Sequence, residues 1–243
     1  MDTNIRLSTA QSSSTTADFA KMHNIPYHEA VGSLMYAVLG MRPDIIFAIQ
    51  TISHFTKNPG PIHWDAVKHV FCYLKGTMDW WLTYGSSRMD LTGYMDADGS
   101  MAEDRHAISG YAFMIHGGAI LWSAKQQEIV VLSTTKAEYI VITHATKEAI
   151  WLCFFISQVF DITLDPTTLF SDNKSAIELT KDHQYYAQTK HIDICFHFIC
   201  YIVKEAPFDS YFVSPMTTLL TFTKALPSTK AKHFMSQLGL SAY

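Results

Sequence analysis

Residues 91–123 read LTGYMDADGSMAEDRHAISGYAFMIHGGAILWS. Three runs of strand length, Leu91–Asp96, Ser109–Ile115 and Ala119–Ser123, are separated by two kinds of punctuation. The polar stretch Asp98–Arg105 is a loop, and Gly117-Gly118 between apolar runs is a tight hairpin. The segment predicts a three-stranded antiparallel meander, with further β-type runs on either side at Trp80–Tyr84 and Ile129–Leu132. Downstream the apolar period changes. Ser133 or Thr134 caps a long helix reaching about Phe160. A strand follows at Thr167–Ser171, then a helix at Asn173–Lys181, a helix from about Lys190 to Lys204 and a strand at Ser210–Val213. Three antiparallel strands, then two strands joined by helices, make an α/β layer fold around a mixed five-stranded sheet.

Upstream the pattern is helical. Ala30, Val31, Leu34, Met35 and Val38 recur at three- and four-residue steps, and Ile45, Ile46, Ile49, Ile52 and Phe55 continue that spacing. After the break Asn58-Pro59-Gly60-Pro61, a third helix turns Trp64, Val67, Val70, Phe71 and Leu74 inward. Residues 1–25 are polar, with a Ser/Thr run at Ser12–Thr16, and are expected to be a disordered leader. The chain therefore divides into a leader (1–25), a helical segment (26–79), an α/β domain (80–227) and a C-terminal helix or tail (228–243).

Composition narrows the function classes. The 243 residues are 48% hydrophobic and 13% aromatic, enough for a substantial core. Eighteen basic residues against 22 acidic ones leave a net charge of −4, which excludes a strongly basic nucleic-acid-binding surface for the chain as a whole. The four cysteines, Cys72, Cys153, Cys195 and Cys200, form no CxxC pair. The first 24 residues lack the apolar core of a signal peptide. An intracellular protein, in cytoplasm or nucleus and not secreted, is expected, with no membrane association.

Three acids carry the chemistry. Asp96 ends the first meander strand, in YMDADG, and Asp172 ends the strand after the long helix, in LFSDN. A right-handed crossover sets those strands side by side and parallel, and ligands of such sheets bind beyond the carboxyl ends of the strands. Glu138, in STTKAEY, lies in the first turns of the crossover helix and faces the same rim. Two carboxylates about 4 Å apart repel by roughly 4 kcal/mol at an effective dielectric near 20. Divalent cations relieve such crowding, and oxygen-only ligands favour Mg²⁺ or Mn²⁺ over Zn²⁺. Two such ions, about 3.5–4 Å apart, suit phosphodiester hydrolysis. Taken singly, each acid also has a structural reading, as a turn cap or as a partner of the helix dipole.

At these residues the sequence resembles a known family. GYMDADG, ISGYAFMIHGGAILWSAKQQ, LSTTKAEY, KEAIWL, SDNKSAIEL, TKHIDICFHFI and FTKALP follow, in order, the ribonuclease H domain at the C-terminus of copia-type retrotransposon polyproteins. YHEAVGSLMYAVLGMRPDIIFAI and HWDAVKHVFCYLKGT resemble the stretch connecting reverse transcriptase to that domain. The resemblance implies a ribonuclease H-like fold with an N-terminal helical appendage and metal-dependent cleavage of the RNA strand of an RNA–DNA hybrid. It implies catalytic and metal-binding roles for Asp96, Glu138 and Asp172, with two Mg²⁺ or Mn²⁺ ions. It assigns substrate contacts to Lys190, His191 and Asn173, and partners among the reverse transcriptase and integrase portions of the polyprotein. The polymerase palm would precede residue 1, so polymerase activity is not expected.

Departures from the pattern matter. The family's fourth metal-binding aspartate falls on Leu220, in MTTLLTFTKALP, and no Asp or Glu follows Asp209. Leucine ligates no cation, and losses even around the ligand shell commonly cost 10–100-fold. Cys195 and Cys200 stand where the family has basic residues, which weakens phosphate contacts. Impaired cleavage is therefore expected, with a catalytically inactive remnant or a domesticated nucleic-acid- or protein-binding module as the alternative.

Other candidates are weaker. His191, Cys195, His197 and Cys200 suggest zinc, but at 100° per residue they do not converge on one tetrahedral ion. No GxSxG elbow and no P-loop occurs. Trp151, Phe154 and Phe155 are expected to pack the long helix on the sheet.

Overall fold

The computed structural model describes residues 7–85, 90–98, 106–131, 133–162, 164, 167–181, 195, 197–199, 202, 212–213, 222–223 and 227–242. The chain divides into two compact units, one formed by Met1–Thr83 with Lys224–Tyr243, the other by Tyr84–Thr223.

The first unit is built on helices α1 (Thr16–Met22), α2 (Tyr27–Gly40), α3 (Ile46–Ser53) and α4 (Pro61–Lys75). Tyr27, Val31, Leu34 and Val38 fall on one face of α2 and are buried, as are Ile45, Ile49 and Ile52. The Tyr27 hydroxyl donates to the Ile52 carbonyl at 2.8 Å. At the α2–α3 corner, Arg42 grips Asp44 with two hydrogen bonds of 2.9 and 2.7 Å, while the Tyr73 hydroxyl donates to the same carboxylate at 2.6 Å. Of the residues expected to face inward on α4, Val67 and Val70 are buried and Phe71 is exposed.

The leader differs from expectation. Residues 9–11 form a 3-10 turn, and Thr15 caps α1 by accepting from the Asp18 amide. Ser13 donates to the Pro59 carbonyl at 2.7 Å, and Asn58 donates to the Ser13 carbonyl at 3.1 Å. His63 is fully buried and stacked on Phe55; its Nδ1 accepts from the Gly60 amide at 2.9 Å, and its Nε2 lies 3.1 Å from the Ser8 carbonyl. The described part of the leader is thus held by side-chain hydrogen bonds to backbone carbonyls, which an apolar-pattern reading does not detect.

The run at 80–84 also behaves differently. Strand β1 (Trp80–Leu82) does not join the meander. It pairs antiparallel with the C-terminal strand Leu240–Ala242, in the register Trp80↔Ala242 and Leu82↔Leu240. The expected C-terminal helix runs Ser228–Gln237 and leads into that strand through Gly239, whose φ is 82°.

The second unit holds the mixed sheet. Strands β2 (Thr92–Asp98), β3 (Ile108–Ile115) and β4 (Gly118–Gln126) form the antiparallel meander. Strand β5 (Thr168–Phe170) lies parallel to β2, and β6 (Phe212–Val213) parallel to β5, in the order β4-β3-β2-β5-β6. This is the expected mixed sheet of three antiparallel and two further strands. The hairpin between β3 and β4 turns on His116 and Gly117, with φ of 52° and 80°, the positive values a two-residue turn requires.

Helix α5 (Thr134–Phe160) starts at Ser133, whose hydroxyl accepts from the Lys136 amide, and ends at Asp161 in the left-handed conformation. It packs Tyr139, Ile140, Ile142, Ala145, Ala149 and Leu152 against Leu91, Met95, Phe113 and Leu169 of the sheet. By length and composition alone it is long and apolar enough to cross a membrane. Trp151 and Phe154, expected to pack on the sheet, are 51% and 63% exposed, and Phe155 is exposed with its ring stacked on Trp151 at 5.2 Å. Tyr139, Leu152 and small or β-branched residues fill the sheet-facing side of α5, and Trp151, Phe154 and Phe155 point outward. The run expected as a strand at 129–132 is not one among its described residues: Ile129 and Val130 are exposed, because the chain leaves the sheet after Gln127 to reach the helix cap. Helix α6 (Lys174–Lys181) follows β5, and residues 195, 197–199 and 202 are helical.

Burial lowers the His63 pKa, because its charged form is poorly solvated there. The unfolded chain then binds the proton more readily, so the stability this histidine contributes is present above the ordinary value near 6.5 and is lost as pH falls below it. Thermal midpoints between pH 7 and 5 should fall more steeply in the unsubstituted chain than in His63→Gln; equal slopes would contradict this role.

Candidate metal centre

Register brings the two aspartates together. The parallel pair β2–β5 aligns Thr92 with Thr168, Gly93 with Leu169 and Tyr94 with Phe170. Asp96 and Asp172 each lie two residues beyond the last aligned pair. Side chains alternate with period two along β2, so Asp96 shares a side with Tyr94. The Tyr94 and Phe170 rings stack at 4.9 Å on that side. Asp96 in β2 and Asp172 in the bend after β5 thereby lie at the same edge of two adjacent parallel strands.

The third acid comes from the helix. Glu138 stands at the start of α5, in the second turn, and its Oε1 accepts from the Ala97 amide at 3.1 Å. That amide belongs to the residue after Asp96, so the bond fixes Glu138 against the end of β2. Asp96, Glu138 and Asp172 each place one carboxylate oxygen within 4.8 Å of the others. Asp96 and Glu138 are each only 4% exposed, whereas Asp172 is exposed.

Neighbouring polar groups hold this corner. Gln127, nearly buried, donates from Nε2 to the Ser109 hydroxyl at 2.8 Å and to the Ala137 carbonyl at 2.9 Å. It thereby ties β3 to the first turn of α5, one residue before Glu138. The Gln127 amide donates to the Ala107 carbonyl at 2.8 Å, and His106 Nδ1 lies 2.8 Å from the Gln127 carbonyl. The Thr223 hydroxyl donates to Asp96 Oδ2 at 2.5 Å. Sequence reading assigned no role to the Gln127 and Thr223 side chains, although both lie in quoted motifs, SAKQQ and FTKALP.

The remaining candidates separate. Asn173 stands beside Asp172, and its Oδ1 accepts from the Ala176 amide at 3.0 Å, capping α6. Lys190, His191 and Leu220 lie outside the described residues, as does Cys200 of the zinc set.

The donor set suits a hard divalent cation. All three groups are carboxylates, two of them buried, and among the described residues no nitrogen or sulfur donor belongs to the cluster. Unit charges at 4.8 Å repel by about 3 kcal/mol per pair at an effective dielectric near 20, less for pairs that involve the exposed Asp172.

No protein-family model matches the chain. The Retrovirus-related Pol polyprotein from transposon TNT 1-94 of Nicotiana tabacum is 43% identical over 204 residues, 83% of this chain. That from transposon RE1 of Arabidopsis thaliana is 32% identical over 219 residues, 88% of this chain. The chain spans 15% of the length of each of these polyproteins. The Secreted RxLR effector protein 161 of Plasmopara viticola is 41% identical over 133 residues, 54% of this chain and 94% of that protein. A solved structure, LC11-RNase H1 isolated from compost, aligns with 62% of this chain and 93% of its own, at 16% identity and a TM-score of 0.39.

If the acids repel as their spacing requires, neutralising one stabilises the metal-free protein. Glu138→Gln retains an oxygen for the Ala97 amide and should raise the thermal midpoint in EDTA by a few degrees. A lowered midpoint would show that the carboxylates are not in conflict.

Proposed function

We propose, for a chain that belongs to the Pol polyproteins of copia-type retrotransposons, that its ribonuclease H-like domain hydrolyses the RNA strand of RNA–DNA hybrids at a divalent-cation centre. The observation that carries this reading is the trio Asp96, Glu138 and Asp172, drawn from two strand ends and a helix to within 4.8 Å. These three carboxylates would hold Mg²⁺ or Mn²⁺, in a two-ion arrangement when substrate is engaged. Bound there, the cations supply activation of water and neutralisation of charge at the phosphodiester.

The chain's own groups do the rest. The Ala97 amide orients Glu138, and Gln127 ties the start of α5 to β3. By resemblance, Lys190 and His191 contact the substrate backbone, and Asn173 lies beside Asp172 at the same rim. The partners are the hybrid itself and other portions of the Pol polyprotein. Leu220, at the fourth carboxylate position, offers the cation no donor, so cleavage is slow. That residue also favours a second reading, a non-catalytic module that binds nucleic acid or protein and keeps the fold without the reaction.

A labelled RNA–DNA hybrid incubated with Mg²⁺ or Mn²⁺ tests both readings. Slow cleavage of the RNA strand is expected, abolished by Asp96→Asn and raised about 10–100-fold by Leu220→Asp. Metal-dependent cleavage that survives Asp96→Asn would reject this centre. Absence of cleavage from both the unsubstituted chain and Leu220→Asp would leave the second reading.

A further inference from the structure

Asp96 sits opposite Gly110 in the antiparallel pair β2–β3, so both residues face the same side of the sheet. That side is occupied at Gly110. A Cβ there would meet the Phe222 Cβ at 2.5 Å and the Thr223 Cγ2 at 3.1 Å. Phe222 and Thr223 are 1% and 0% exposed. The absence of a side chain at residue 110 is therefore what lets residues 222–223 lie against the sheet beside Asp96. From that position the Thr223 hydroxyl donates to Asp96 Oδ2 at 2.5 Å, within the range of charge-assisted O–H···O⁻ bonds.

We propose that Thr223 is a positioning residue for the metal centre: its hydroxyl, admitted by Gly110, fixes the Asp96 carboxylate so that the group faces the cation. This rests on the cation reading of the three acids. A carboxylate at a strand end turns freely about its terminal bond. The hydroxyl removes that freedom and stabilises the buried anion without adding a positive charge that would compete with a cation. The β-branch limits Thr223 to few rotamers, which holds the donor in place.

The decisive variants are Thr223→Val, which keeps the shape and removes the donor, and Thr223→Ser, which restores the donor. Calorimetric titration with MnCl₂ should show affinity about 10–100-fold weaker in Thr223→Val and close to the unsubstituted value in Thr223→Ser. Excess Mn²⁺ should recover cleavage in Thr223→Val, which a fold defect would not permit. If Thr223→Val does not fold, Thr223→Ala takes its place. The contact is read separately in EDTA, where the midpoints of Thr223→Val, Asp96→Ala and the double variant should be non-additive. Additive midpoints overturn the proposal. Equal Mn²⁺ affinity in Thr223→Val and the unsubstituted chain, with non-additive midpoints, overturns it while leaving the cation centre standing. Non-additive midpoints in a chain that binds no Mn²⁺ overturn the cation reading and this proposal with it.

Discussion

Like charges do not gather without a cause, and the second unit is organised around three that do. Asp96 and Glu138 are buried, and with Asp172 they place oxygens within 4.8 Å of one another. At that distance their repulsion is of the same order as a sizeable fraction of the net stability of an ordinary domain. The fold tolerates it through fixed hydrogen-bond donors: the Ala97 amide on Glu138 and the Thr223 hydroxyl on Asp96. On the proposed reading, a divalent cation offsets the remainder.

The scaffold explains why these acids meet. The shared register of β2 and β5 sets the separation of the aspartates, because both stand two residues past the Tyr94–Phe170 pair. A one-residue slip in either strand would turn one of them to the other face. Helix α5 contributes the third acid because its cap at Ser133 fixes where the helix starts, and Gln127 joins that start to β3. A strand and a helix hold Asp96 and Glu138, and Asp172 stands in the bend between β5 and α6.

Much of this was legible in the sequence because it depends on local signals. Strand-length runs between turn signals marked β2, β3 and β4, the Gly-containing turn marked the hairpin, and two aspartate-bearing motifs marked the rim. What escaped reading depends on contacts distant in sequence. Trp80–Leu82 has strand texture, but its partner Leu240–Ala242 lies at the other end of the chain. Ser8 and Ser13 are polar and still docked, the Ser13 hydroxyl on the Pro59 carbonyl and the Ser8 carbonyl on the His63 ring. Trp151 and Phe154 are large and apolar, a property that points to the core, yet the sheet-facing side of α5 is taken by Tyr139, Ile142, Ala145, Ala149 and Leu152. The Thr223–Asp96 bond escaped for the same reason as the strand pairing, since 127 residues separate its partners.

The central claim is that the three carboxylates form one cation centre. Diffraction from crystals soaked in MnCl₂, recorded at the manganese absorption edge, tests it most directly. The account predicts an anomalous peak coordinated by oxygens of Asp96, Glu138 and Asp172 together. Manganese bound only elsewhere, or the three side chains turned away from a common point in the presence of the ion, would contradict it.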